Sequence, residues 1–299
     1  GGAAFSETAS DNQLACVAGS DNLPDLLLGR LPVSSAAETE TVVTKVVQYE
    51  SSPAAGWWNR RALFVADNRD IGGDFPDRSD ALYARYGWDG LSPSRIYMTV
   101  EPDKSHEYDP RDAGDWESAR TAIHGGIRSG QFLVTYFGHS SWSQWAVSEW
   151  WDPSWVPPNR LLHREEVPGL QNGDRLPVVL DMTCFTAAFQ RFEYAPLDER
   201  LVVEPSGGAV AAWGPTGSGF TDGHHSLAQG FLDVVLWDGA DNTLGAATAA
   251  GKAELFAQDE FFHHMIDIYA LLGDPAMTLN MEFIEADHRV YLPLVGLRD

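Results

Sequence analysis

Phe132-Leu133-Val134-Thr135-Tyr136-Phe137-Gly138-His139-Ser140-Ser141 and, 45 positions further on, Pro177-Val178-Val179-Leu180-Asp181-Met182-Thr183-Cys184-Phe185-Thr186 decide how this chain reads. Each is a short, β-rich apolar run that ends in one reactive side chain. Such a run bounded by turn residues suits a buried strand of a parallel sheet. In open α/β sheets, ligands bind outside the carboxyl ends of the strands. His139 and Cys184 therefore fall on one rim, where an imidazole and a thiol suggest a cysteine nucleophile with a histidine acid–base partner.

Outward from these blocks, strands and helices alternate. A weak strand is expected at 13–18 and a second at 23–33, closed by Pro32. Ser34 or Ser35 then caps a helix running to about Glu50, with Val43, Val46, Val47 and Tyr49 as its apolar stripe. Further strands are expected at 61–66 and 95–100, with helices at 79–86 and 115–129. Between them lies an acidic glycine loop, Asp67-Asn68-Arg69-Asp70-Ile71-Gly72-Gly73-Asp74. Beyond Cys184 come a helix near 197–203, a glycine-rich strand at 207–214, and helices near 225–236 and 243–257. The apolar stretch 261–272 then leads to Gly273-Asp274-Pro275. Strand–helix alternation at this spacing favours a largely parallel sheet with helices on both faces. Residues 1–280 read as one domain and 281–299 as a terminal strand or tail.

The bulk properties narrow the function. The 299 residues carry 43 acidic and 20 basic side chains, a net charge of −23. That excess argues against a nucleic-acid partner, which needs a basic footprint. No apolar run is long enough to span a membrane, and no basic n-region precedes an apolar block at the start. The two cysteines, Cys16 and Cys184, make no disulfide framework, and no Cys/His spacing suggests structural zinc. His224-His225 and His263-His264 lack the i, i+4 spacing of a helical zinc site, so no metal ligand is assigned. Five tryptophans between Trp142 and Trp155 can be core or the aromatic wall of a cleft.

Four segments, taken together, resemble the gingipain-type cysteine peptidases of caspase-like fold. They are Pro24-Asp25-Leu26-Leu27-Leu28-Gly29-Arg30-Leu31-Pro32 with the helix ending at Glu50, the His139 block with Trp145 downstream, the Cys184 block through Phe189, and Leu271-Leu272-Gly273-Asp274-Pro275. The resemblance runs in unbroken order from about Asp11 to Asn280. The 45-position interval is close to the roughly 50 of caspases. It implies a three-layer α/β/α fold with a mostly parallel central sheet and a peptide-cleaving enzyme acting outside the cell or at its surface, as part of a longer precursor. No cofactor is required; calcium enters only as a structural ion that the family implies.

The resemblance also assigns roles. Cys184 is the nucleophile and His139 the acid and base. The backbone N–H groups of Ser140 and Cys184 form the oxyanion hole. Ser140 stands where the family usually has glycine, which matters if the site needs positive φ. An acidic residue of the 67–74 loop orients the histidine, with Asp70 and Asp67 as alternatives. Asp80 lies at the base of the P1 pocket and Phe220 covers it, which implies cleavage after arginine or lysine. Otherwise Asp80 is a helix-start aspartate favoured by the macrodipole. Trp145 joins the substrate-binding group. Two other readings stay open on the sequence: a transpeptidase of the same family, and a catalytically inactive binding module.

Overall fold

The computed structural model describes residues 8–88, 90–98, 116–146, 160–191, 193–238 and 242–281. The elements follow in order: α1 (Asn12–Ala15), α2 (Ala36–Ser51), β1 (Arg61–Ala66), α3 (Phe75–Arg85), β2 (Ser92–Tyr97), α4 (Trp116–Arg128) and β3 (Leu133–Phe137). Then come β4 (Ser140–Ser141), β5 (Gln144–Trp145), β6 (Leu162–His163), β7 (Val178–Met182), α5 (Leu197–Val203), β8 (Ala211–Pro215), α6 (Thr221–Asp233), α7 (Leu244–Gln258), α8 (His264–Ile268) and β9 (Tyr269–Leu272).

Strand side chains alternate between faces, and here both faces are apolar. Ala62, Phe64 and Ala66 of β1 join one core with residues of α3, α6 and α7, such as Leu82, Phe231 and Ala247. Leu63 and Val65 face the other, with Ala119, Ile123 and Ile127 of α4 and Leu197, Leu201 and Val202 of α5. The result is three layers, α/β/α, around a sheet ordered β2-β1-β3-β7-β8-β9. All neighbouring pairs are parallel except β8 with β9. The expected fold class is the observed one. β4, β5 and β6 make a small antiparallel sheet beside it.

The sheet order sets the site. β1 lies between β2 and β3, so the chain leaves β1 first to one side and then, through α4, to the other. Such a reversal is where open α/β sheets place their sites, at the strand C-termini. In the β3–β7 ladder Phe137 pairs with Met182. His139 and Cys184 are therefore each two residues past a matched pair, level with one another on strands about 4.8 Å apart.

Several local expectations give way. Residues 13–18 form no strand; Asn12–Ala15 is a short helix. The 23–33 segment lies along the edge of the sheet, making a single bridge from Arg30 to Leu272. Its backbone contacts are Arg30 N–H to the Leu271 carbonyl at 2.8 Å and Gly273 N–H to the Arg30 carbonyl at 2.9 Å. Ser35 caps α2, accepting from the Glu38 N–H at 3.2 Å. Its buried face is Val42, Val46 and Tyr49, whereas Val43 and Val47 are exposed. On the same helix, the Lys45 ammonium donates to the carbonyls of Val202, Glu204 and Gly207 at 2.7–3.1 Å. It thereby satisfies carbonyls that the end of α5 leaves unpaired. The apolar 261–272 stretch divides into α8 and the antiparallel strand β9. Both cysteines are free. Trp150, Trp151, Trp155 and nearly all of the expected tail lie outside the described residues.

Candidate active site

Three strand ends build the site: β1 supplies the acidic loop, β3 the histidine and β7 the cysteine. The His139 Nε2 lies 2.9 Å from Asp70 Oδ2 and 3.2 Å from Oδ1. Asp70 in turn accepts the Gly72 N–H at 2.6 Å, which fixes the carboxylate. Gly72 must lack a side chain, because a Cβ there would stand 2.5 Å from the imidazole Cε1. The Thr221 hydroxyl at the start of α6 donates to the Gly72 carbonyl at 2.7 Å and ties the loop to the next layer. Phe75 meets the imidazole edge-on, with ring centroids 5.1 Å apart. Of the two expected orienting candidates, the structure places Asp70 on the ring.

Asp67 has a different position. It is buried beneath the loop and accepts the His139 backbone N–H at 3.3 Å and the Asn68 N–H at 2.9 Å. Burial raises its carboxyl from 3.8 to about 6, against the lowering effect of those N–H groups and of His139. A carboxyl whose folded pKa is raised favours the fold most below its unfolded value. That contribution is lost as pH climbs through the folded value. Asp67→Asn is therefore expected to gain on the wild type between pH 4 and pH 8, as the buried carboxyl would ionise on passing about 6. Thermal melts of both proteins across that range check it: a Tm difference that stays constant would refute the assignment.

Cys184 is half-buried at the end of β7. Immediately after it the chain turns sharply at Phe185, which takes φ 63 and is anchored by its N–H on the Gly217 carbonyl at 2.9 Å. A non-glycine residue in that region costs about 1–3 kcal/mol, and such strain clusters at functional turns. The Gly219 N–H reaches the sulfur at 3.5 Å, and the Ser218 hydroxyl lies 3.8 Å from it. Burial raises the thiol above its ordinary value of 9.0, opposed by those two donors. Burial thus favours the neutral thiol over the thiolate in the free site.

The expected oxyanion donors are in unequal states. Ala146 N–H donates to the His139 carbonyl at 2.7 Å, so the pair of Ser140 with Trp145 is a non-hydrogen-bonded one. The Ser140 N–H consequently points away from β5. The Cys184 N–H, by contrast, donates to the Ser140 Oγ at 3.0 Å. Ser140 is not among the positive-φ residues, so serine fits its backbone without strain. Its side chain is what changes the site.

Phe220 lies exposed beside the cysteine's Gly219 contact. It follows Gly219 directly, is 47% exposed, and packs with Phe261 at 4.9 Å between ring centroids. Asp80 and Trp145 depart from their expected places. Asp80 lies mid-helix in α3, whose cap is Asp74, so it is not a helix-start residue. Its Oδ1 accepts from Arg95 at 2.9 Å and from Tyr97 at 2.7 Å. Both partners sit on β2, with β1 and β3 between that strand and β7. The carboxylate expected to meet a substrate cation already holds an internal one. Trp145 is fully buried and stacks on Tyr136 at 4.7 Å, so it is core and not cleft wall.

Sequence reasoning missed Gly219 and Ser218, which have no motif and reach the site only through the fold, and it gave Thr183, next to Cys184 in the chain, no role. It also missed Asp181 and Asp198, fully buried together beneath the cysteine turn. Burial raises both carboxyls, and for Asp198 the neighbouring Asp181 adds to the effect. The loop carboxylates are committed to protein donors: Asp74, for example, caps α3 and pairs with Arg69. Among the described residues no group of three or more His, Cys, Asp or Glu is placed to hold a metal ion. No helix there is long and apolar enough to cross a membrane.

The sequence model described as Peptidase family C25 matches residues 3–280. The chain belongs to this family, that of the gingipains. Two solved gingipain structures resemble it over most of its length. A crystal structure of the Arg-specific cysteine proteinase gingipain R matches with a TM-score of 0.72 and 20% identity, over 90% of this chain and 59% of that one. A complex of the pro- and mature domains of Porphyromonas gingivalis RgpB matches with a TM-score of 0.72 and 19% identity, over 92% and 61%. A third structure, described only as a protease, gives 0.66 and 17% over 92% and 60%. The chain thus spans 59–61% of the length of these structures. At such identities they establish a shared caspase-like fold. No curated protein matches.

Proposed function

We propose that this C25 chain is the catalytic region of a cysteine endopeptidase acting on peptides and proteins, exported as part of a longer precursor. The observation that carries the reading is the 2.9 Å contact of His139 Nε2 with Asp70. It turns Nε2 to the carboxylate, and in the tautomer with its proton on Nε2 the base is Nδ1, on the strand end beside that of Cys184. Gingipain R is named as a cysteine proteinase, which supports the same chemistry here.

In the proposed cycle His139 Nδ1 takes the thiol proton as Sγ attacks the scissile carbonyl. Because burial favours the thiol, proton transfer and attack are coupled in this cycle. The tetrahedral oxyanion forms toward the Ser140 N–H. Its collapse breaks the C–N bond, and the imidazolium gives its proton to the departing amine. Water, deprotonated by the same nitrogen, then hydrolyses the thioester to a carboxylate and restores the thiol. No cofactor enters any step.

Selectivity follows from what is unoccupied. Asp80 holds Arg95, while Phe220 and Phe261 present an aromatic shelf next to the sulfur's Gly219 contact. Hydrolysis of fluorogenic peptides differing only at P1 tests both parts. Arginine and leucine substrates are expected to differ in kcat/KM by less than about tenfold, the range of modest pocket discrimination. A preference for arginine of about 10³ or more would restore Asp80 as the pocket base. No turnover of any peptide by the folded protein would remove the endopeptidase reading.

A further inference from the structure

Ser140 does more than replace a glycine. Its hydroxyl accepts the Cys184 N–H at 3.0 Å and the Thr183 hydroxyl at 2.6 Å, and donates to the Cys184 carbonyl. The Thr183 hydroxyl also lies 2.5 Å from the Gly138 carbonyl, so these groups bind the ends of β3 and β7 together. Ser140 is only 7% exposed and Thr183 fully buried, so water competes weakly for these partners. A nucleophile's own N–H is a common oxyanion donor, effective when it is aimed at the developing charge and otherwise free. Here that donor already has an acceptor.

We propose that the Ser140 hydroxyl is an internal latch on the oxyanion hole, which sets the rate of acylation by occupying the Cys184 N–H until a bound substrate carbonyl displaces it. The inference rests on the endopeptidase reading of this site and adds a rate-setting residue to it. The Ser140 N–H, directed away from β5, is the half of the hole that stands ready. A substrate carbonyl first meets this donor. The Ser140 side chain then turns about χ1, releasing the Cys184 N–H as charge builds on the oxygen. No bond beyond those of the acylation step forms or breaks. The latch touches the donor and not the sulfur, whose polar contacts among the described residues are with Ser218 and Gly219.

Ser140→Ala and Ser140→Gly remove the hydroxyl while keeping the Ser140 N–H. One released hydrogen bond of ordinary net strength corresponds to about a fivefold change in rate. Both variants are therefore expected to raise kcat/KM for a fluorogenic peptide amide about fivefold or more. Affinity for a peptide aldehyde, whose hemithioacetal carries the same oxygen, rises in parallel. Alkylation by iodoacetamide forms no oxyanion, so its rate at Cys184 moves by less than about twofold. That rate also shows that each variant keeps its folded site, and the glycine variant stands in if alanine does not fold. Unchanged or lower kcat/KM with unchanged alkylation would overturn the latch while leaving the peptidase intact. Turnover in the variants alone would establish the latch in its strongest form. Silence toward peptide amides in all three proteins, with Cys184 still alkylated, would overturn the latch and the endopeptidase reading together.

Discussion

Replacing Cys184 with alanine is expected to lower kcat for peptide hydrolysis by at least about 10⁴-fold while leaving the fold intact. Losing a nucleophile that works as a unit with its base costs about 10⁶ in a serine protease. The residual rate there comes from the oxyanion hole and substrate binding. In this chain one oxyanion donor is engaged by Ser140, so less remains when the sulfur is gone. No second thiol can substitute. Cys16 lies on the N-terminal segment, donates to the Asn12 carbonyl at 3.3 Å, and is raised by burial and by Asp267. Stability should change little, since the sulfur's hydrogen-bond contacts among the described residues are long, at 3.5–4.0 Å. Progress curves and thermal melts on the same preparation check both halves. Activity surviving within about tenfold of the wild type would exclude Cys184 as nucleophile. The raised thiol adds a second expectation: alkylation of Cys184 in the free protein should accelerate as pH rises past 9.0. A plateau reached near neutral pH would indicate a resting thiolate–imidazolium pair instead.

The central architecture could be read from the chain because β3 and β7 are mostly apolar, buried along their whole length, and run directly into His139 and Cys184. The ladder then sets His139 beside Cys184 without further information. Elsewhere hydrophobicity misled. Leu26, Leu27 and Leu28 look like a strand, yet all three are exposed, and Pro24 and Pro32 cannot donate to a ladder. Trp145 belongs to a tryptophan-rich stretch, and no local signal says that its ring stacks on Tyr136. For Asp80 the error began with helix phase. Asp74 caps α3 and Pro76 lies in its first turn, so the helix starts four residues before the expected Ser79. Its partners Arg95 and Tyr97 come from a later strand, and only the fold brings them to it. The loop carboxylates were indistinguishable by spacing. Burial and the bare Cα of Gly72 decide between them, putting Asp67 under the backbone and Asp70 on the ring.

Asp70→Asn should damage turnover more than Asp70→Ala, and this order tests tautomer control directly. A carboxylate accepts from Nε2–H and so keeps Nδ1 free of its proton. An asparagine can present its NH₂ group to Nε2, which then accepts, and the proton moves to Nδ1. The unprotonated Nδ1 that the proposed cycle uses as its base would be lost. Alanine leaves the ring less well held, but both tautomers remain accessible to it. In a serine protease the equivalent change, at a buried aspartate, costs about 10⁴. Asp70 is 36% exposed, so water competes for the contact, and a loss of about 10²-fold in kcat is expected for asparagine and about tenfold for alanine. KM should hold within about twofold in both, because Asp70 is committed to the ring and to the Gly72 N–H and touches no substrate in the proposed cycle. Alanine worse than asparagine would mean that Asp70 acts only by holding the ring through a hydrogen bond of either polarity. Neither variant departing from the wild type would mean that the Phe75 contact and the loop backbone suffice to place His139.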